Sequence, residues 1–460
     1  MCRWCISMAS RISPAELGVM VARWAIHEGA SEAEVYIHVL RGYRVDIRTN
    51  RVETVEAVED VGVGIRVAVG RKTGFSYTTG MEISSVREAV RRAIKQARAA
   101  PEDKWWQGFP EPSKSYPEPG GMFSVAVARA GPETVLEHAR EMLDKASSIK
   151  DLVLARGSVS VYTLERVVIN TNGVYRVDVG TAALVTAGVT TRKDGVTTPM
   201  IYNIDMSRVL IPESDAVVER AAETAKQCTT LYHGLQTGRY TVVLSPRVLA
   251  ELMEETILYS LRGDIYVRGR SYYGNKLGEK ALSEKITIVD DGAMKGGDAT
   301  WRFDGEGVAT ARKVLVEKGV VRGLVFDSYW GRRAGQESTG NASRDGYASR
   351  PHPGYTNVVV EPGDAALEEL LDGRVLVVHQ VQGAHTTNPD TGEYSVLANP
   401  AIYYENGEPK GWVPGVVLSG NFYREIISNV EALGKTVERA YPGMYMPWIR
   451  LNGITVAVKS

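Results

Sequence analysis

The sequence predicts an α+β protein: two repeated α-β-β-β-β-α units built on antiparallel sheet, followed by a larger mixed or antiparallel β-rich domain. Three observations carry this prediction. The string Arg44-Val45-Asp46-Ile47-Arg48-Thr49-Asn50 recurs as Arg166-Val167-Val168-Ile169-Asn170-Thr171-Asn172, an offset of 122 residues. Each copy follows an amphipathic helix with proline in its first turn, where the missing N–H costs nothing. From about Thr237 the pattern changes to short β-branched runs separated by glycine.

Taken in order, residues 1–13 read as an N-terminal extension. Cys2 and Cys5 there have the spacing of a metal or redox half-site without a second pair, and Met8 is a plausible alternative start. Residues 14–100 form the first unit, with helices over Pro14 to Glu28 and Ile83 to Ala100 around strands that include Gly62 to Val69 and Thr73 to Thr79. Residues 101–121 are rich in proline, glycine and charge and carry Trp105-Trp106, which reads as a linker with an aromatic anchor. Residues 122–236 repeat the unit, from the helix Pro132 to Ser147 through strands to a closing helix, Glu213 to Cys228. Turns as short as Thr49-Asn50-Arg51 and Thr171-Asn172-Gly173 can join only hairpin partners, so both sheets are antiparallel. Each sheet is expected to be covered by its own two helices, with edges that could pair with a peptide or another subunit.

Residues 237–460 open with the strand Arg239 to Leu244. Further strands are expected at Arg312 to Lys318, Val320 to Ser328, Asn357 to Glu361, Val375 to Gln382, Pro400 to Glu405 and Val413 to Ser419, in a barrel or sandwich.

Composition bounds the function. A chain of 460 residues with 44% hydrophobic and 24% charged residues is an ordinary globular protein, and a net charge of -1 argues against nucleic acid as the main partner. No apolar run approaches the ~18 residues of a membrane span. Three cysteines do not make a disulfide framework, so a cytoplasmic location is expected. Seven glutamines among many arginines and valines point to a thermophilic source.

The stretch with most chemistry is Leu249 to Gly292. It reads as a helix of about four turns ending at Arg262-Gly263-Asp264, an arginine-rich turn, a strand Lys285 to Val289 and a turn Asp290-Asp291-Gly292. Further along lie Ser338-Thr339-Gly340-Asn341-Ala342, Asn388-Pro389-Asp390-Thr391-Gly392-Glu393-Tyr394-Ser395 and Val417-Leu418-Ser419-Gly420-Asn421. In this order the motifs resemble the TldD/PmbA (TldD/TldE) metallopeptidase family over nearly the whole chain, roughly Pro14 to Val458. The Asn-Pro turn resembles the PmbA branch.

The resemblance implies a helix carrying His-Glu-x-x-x-His that runs into Glu-Gly-Asp. Counted back from Asp264, the first histidine falls on Glu254, the glutamate on Glu255 and the second histidine on Tyr259. The zinc-bearing members also use a cysteine near the C-terminus, and the matching segment here, Arg439 to Trp448, has none. A catalytic zinc needs about three ligands and an open position, and a phenol with a pKa near ~10 is a poor ligand. No zinc is therefore expected on this chain, and the catalytic set is expected to be degenerate. Histidines five residues apart would need a π-type turn, because in an ideal α-helix they point roughly 140° apart. With the histidines gone, the turn is expected to relax to regular helix. Arg262, Asp264, Arg268 and Asn388 are expected to contact substrate. His352, His379 and His385 are the alternative metal set, although six residues along a strand separate the last two by ~20 Å unless Gly383 bends it.

The resemblance further implies hollow dimers enclosing unfolded peptide. The expected partner is a TldD-like subunit supplying zinc, or a second copy of this chain. The alternatives are a self-sufficient metallopeptidase with Glu255 as base, and a homodimeric peptide-binding shell. The basic loop Gly331-Arg332-Arg333-Ala334-Gly335, with Arg344 and Arg350 behind it, could hold a carboxylate.

Overall fold

A computed structural model describes residues 12–458. The Cys2, Cys5 and Met8 readings lie outside the described residues.

The first half forms one sheet with its helices stacked on one face. Helix α1 (Pro14–His27) starts at a capping box in which Ser13 and Glu16 satisfy each other's backbone N–H groups. Then come β1 (Glu32–Arg48), β2 (Arg51–Val69), β3 (Lys72–Thr79) and α2 (Ile83–Ala99). After α3 (Val125–Arg129), the second unit runs α4 (Pro132–Ser148), β4 (Leu152–Asn170), β5 (Tyr175–Lys193), β6 (Val196–Thr197), β7 (Ile201–Ser207) and α5 (Ser214–Gln227). The strands run longer than the segments expected from sequence, three in the first unit and four in the second. β-branched residues continue through the positions where a break was expected, and the chain turns at Thr49-Asn50, both at positive φ, at Gly70, at Gly173 and at Asp194-Gly195.

The two units do not keep separate sheets. Their β1 and β4 edges pair antiparallel along fifteen residues, from Glu34 opposite Asn170 to Arg48 opposite Arg156. That register maps onto itself under the 122-residue repeat, so the duplication is a local two-fold axis, and the strand order is β3-β2-β1-β4-β5-β7. Alternation then sorts the faces. Val35, Ile37, Val45 and Ile47 of β1 and Val159, Val161, Val167 and Ile169 of β4 pack under the helices. Glu34, Tyr36, His38, Arg166, Val168 and Asn170 face the other way.

That second face is covered by the C-terminal half, a thirteen-stranded mixed sheet whose center includes β8 (Gly238–Leu244) between the parallel strand Arg374–Val378 and the antiparallel strand Met444–Val458. The expected strand Val320 to Ser328 is only Val320–Val321, because Asp327 caps a helix, Ser328–Arg333. The expected Asp290-Asp291 turn belongs to the strand Ile288–Asp291. A long hairpin, Val430–Tyr441 with Met444–Val458, closes the chain. The segment 101–121 is stitched in place: Pro110 O accepts from Asn170 Nδ2, Tyr116 Oη donates to Gly307 O, and Phe109 is buried with Trp106 edge-on against it.

A buried ionic network joins the halves. Arg66 of β2 forks onto Glu34 at 2.6–2.8 Å and reaches Glu306 at 2.7 Å, and Arg344 also pairs with Glu34. Asp327 and Asp304 sit beside it with no cation of their own. Burial first, and then the negative charge of Glu306, push Asp327 up to about 8 and Asp304 up to about 7. Both carboxyls bind protons more tightly folded than unfolded, so between about pH 4 and pH 8 stability falls as pH rises. Asn can keep the cap on Trp330 N without ionizing. Asp327→Asn is expected to gain on the wild type by at least ~1 kcal/mol between pH 5 and pH 9, read from urea unfolding at the two pH values.

Candidate functional site

Helix α6 (Pro246–Met253) begins at Ser245, whose hydroxyl caps Val248 N, and continues directly into a π-helical turn, Glu254–Leu258. The expected relaxation to regular helix does not occur. The hydrogen bond that defines the turn runs from Tyr259 N–H to Glu254 O, between the two positions on which the family resemblance puts the histidines. It places them one turn apart on the same side of the helix.

The surroundings explain why the turn persists. A wide turn leaves carbonyls without their α-helical donors, and here side chains reach them. Tyr423 donates to Thr256 O at 3.0 Å, Tyr355 to Leu258 O at 2.5 Å, and Thr256 folds back on Leu252 O at 2.5 Å. Tyr423 is fully buried and also donates to Pro389 O at 2.6 Å, tying the Asn-Pro turn to the π-turn. Tyr423→Phe would remove the one phenolic proton shared by Thr256 O and Pro389 O and is expected to cost about 1 kcal/mol in urea unfolding, with faster amide exchange confined to 252–260.

The side chains at the frame are engaged with protein partners. Glu254 accepts from the Tyr441 hydroxyl at 2.6 Å, so the C-terminal segment expected to carry a cysteine delivers a phenol. Burial and then Glu254 hold the Tyr441 phenol far above its ordinary range. Tyr259 donates to Asp390 at 3.3 Å, and Arg270 forks onto the same carboxylate at 3.0–3.2 Å. Burial and then Asp390 raise the Tyr259 phenol. Glu255 is pushed up by burial and by Glu254, with His385 near enough to oppose the shift. Both phenols are thus held protonated, and this donor set does not fit zinc.

The remaining expected residues are placed differently from the sequence reading. Arg262 forks onto Asp264 at 3.0–3.2 Å, and Arg268 approaches the same buried carboxylate at 3.5 Å while lying over Trp330. Asp264 therefore braces the corner after the π-turn. The Asn388 side chain accepts from Asp390 N and Thr391 N and shapes its own turn. The three histidines are not brought together: among the described residues no group of three or more His, Cys, Asp or Glu side chains is placed to hold a metal ion. His379 packs edge-on against Trp448, and burial lowers it to about 4. His352 lies in the short strand paired with Ala342–Ser343, and His385 is near Glu255. The tyrosines Tyr355, Tyr423 and Tyr441, which hold the site, were missed by sequence reasoning. Only the position of Tyr441 within Arg439 to Trp448 offered a signal.

The chain matches the PmbA/TldA metallopeptidase models for domain 1 over residues 33–98, the central domain over 127–228 and the C-terminal domain over 237–458. It is 31% identical over 399 residues to an uncharacterized protein of Methanocaldococcus jannaschii, covering 85% of this chain and 90% of that one. It is 23% identical over 430 residues to a metalloprotease TldD homolog of Haemophilus influenzae, covering 86% of each. Among solved structures it superimposes on TldE from Thermococcus kodakarensis with a TM-score of 0.87 at 28% identity, covering 96% of this chain and 100% of that one. Three successive domain matches and a full-length relative, together with the retained helix frame, place this chain in the PmbA/TldA metallopeptidase family.

Proposed function

We propose that this chain is the PmbA/TldE-like subunit of a TldD/TldE-type metalloprotease, without a zinc site of its own, which encloses or positions unfolded peptide for a zinc-bearing TldD-like partner. The observation that carries the reading is the donor set at the retained frame: Glu254 is bonded to Tyr441, Tyr259 to Asp390, and both phenols are held protonated. In the partner, zinc would supply an activated water for peptide hydrolysis. The likeness to a TldE structure supports the same branch. The chain's own contribution would be its walls, the seven-stranded sheet with its helices and the C-terminal sheet.

The test is to mix the purified chain with a zinc-bearing TldD-like protein from the same organism and follow mass by light scattering and hydrolysis of an unfolded peptide. A one-to-one complex with faster hydrolysis than the partner alone is expected. A chain that only pairs with itself, with hydrolysis unchanged, would mean a homodimeric shell. Chelator-sensitive hydrolysis by the chain alone would mean a self-sufficient enzyme.

A further inference from the structure

The repeat contains its own control experiment. In the first copy Arg44 is followed two residues later by Asp46, on the same face of the strand, and its guanidinium bonds that carboxylate at 2.6–2.8 Å. In the second copy the arginine is kept as Arg166, but the residue two positions on is Val168, which is buried. The arginine persists while its carboxylate does not.

The structure supplies no substitute. Arg166 faces Asp178 across the β4–β5 ladder, yet Asp178 is taken by Arg302, which donates to it from both backbone N at 3.0 Å and Nε at 2.5 Å. Among the described residues Arg166 makes no ion pair, and its Nε is buried without a hydrogen-bond partner. The guanidinium lies over Trp301, 4.8 Å from the ring center, with Phe303 at 5.7 Å. On the same indole lies a second arginine, Arg208, 4.4 Å from the ring center, which donates only to the carbonyls of Thr181 and Thr300. Burial and then Arg166 lower Arg208 to about 10, with Asp178 and Asp298 opposing the shift. Arg166 is half-buried, and a partly desolvated guanidinium without a paired carboxylate leaves donors open to a partner.

Arg166 opens into a cavity of about 340 Å³ between the sheet and the C-terminal half, near the lower end of ligand-site volumes. Three carboxylates also line it. Asp304 turns both oxygens to backbone N–H groups of Glu306, Val308 and Ala342. Asp60 stands at the rim, 3.8 Å from His38, and Asp345 is exposed. His38 is held toward its neutral form by burial, with Asp60 opposing and Arg166 adding to the effect. The wall opposite the sheet includes Tyr355, the side chain that donates to the π-turn at Leu258 O, so the cavity lies one side chain away from the degenerate site.

We propose that this cavity binds the C-terminal carboxylate of a peptide, with the Arg166 guanidinium as its fork. The assignment rests on the peptide-holding reading above and adds to it an anchored chain end. Arginine is suited to the task because its planar donors match a carboxylate two at a time.

The probe is N-acetyl-alanyl-alanine as the free acid and as its C-terminal amide, titrated calorimetrically into the full chain at fixed ionic strength. The acid is expected to bind at least ~10-fold more tightly than the amide, since a charge-assisted pair contributes about 1.5–3 kcal/mol. Arg166→Gln is expected to abolish that preference, and Arg44→Gln, its counterpart in the first repeat, to leave it intact. Because the acid and amide are compared on the wild type, the test stands even if Arg166→Gln fails to fold. Equal affinity for the two forms would overturn the carboxylate site while leaving peptide holding in place. Binding of neither form would overturn the site and count against peptide holding as well. Orthophosphate binding more tightly than the acid, and lost in Arg166→Gln, would mark an inorganic anion site instead and overturn the peptide assignment.

Discussion

Replacing Glu254 and Tyr259 together by histidine is expected to create a zinc site at the π-turn. The double variant reads His-Glu-Thr-Ile-Leu-His, and the π-turn is the reason it should work. The bond from Tyr259 N–H to Glu254 O stacks the two positions one turn apart, so two imidazoles there point the same way. In a regular α-helix the same pair would diverge by roughly 140° and could not share an ion. The substitutions also release Tyr441 and Asp390 from their present partners, opening space beside the pair. Zinc affinity at least ~100-fold above the wild type is expected, with a thermal shift that grows with zinc concentration; at 100 times the dissociation constant the stabilization is ≈ 2.7 kcal/mol. Each single variant should bind far more weakly, because one imidazole makes no chelate. A folded double variant with wild-type zinc affinity would show that the turn does not hold in solution.

Arg66→Met is expected to have the largest effect on stability. Among the described residues Arg66 is the only cation shared by Glu34 and Glu306, both essentially inaccessible to solvent. Burial alone would lower the Arg66 guanidinium, and the two carboxylates overturn that and raise it well above its ordinary range. Removing it leaves two buried carboxylates facing each other with Arg344 as the remaining partner of Glu34. Breaking such a pair costs about 3–5 kcal/mol. The expected signature in urea is a lowered midpoint whose deficit shrinks at acid pH, where the stranded carboxylates can protonate. Because the network bridges the sheet and the C-terminal half, the loss should appear first as independent unfolding of the two. A deficit below ~1 kcal/mol at neutral pH would show that Arg66 is replaceable by solvent.

The sequence was most legible where the period of the pattern and the local geometry agree. The 122-residue repeat and its hairpin turns were readable because Thr49-Asn50 and Thr171-Asn172-Gly173 are local turn chemistry. The joining of β1 to β4 was not, since edge pairing is decided by matched registers far apart in sequence. The short strand at Val320 was overextended because an apolar run does not reveal that Asp327 will cap a helix. At the site, counting from Asp264 led to Glu254, Glu255 and Tyr259, which lie on the π-turn and its C-terminal cap. The turn's geometry was misjudged because it is fixed by Tyr423 and Tyr355, more than ninety residues away. Arg262, Arg268 and Asn388 were expected to contact substrate, and sequence does not reveal that Asp264 and the backbone of residues 390–391 already engage them.

The central claim is that this chain keeps the frame of a zinc protease with donors that do not hold zinc. The most direct test is the zinc content of the chain purified alone, with hydrolysis of an unfolded peptide assayed on the same sample. The account predicts well under one zinc per chain and no chelator-sensitive hydrolysis. About one tightly held zinc per chain, with hydrolysis lost on chelation, would contradict it.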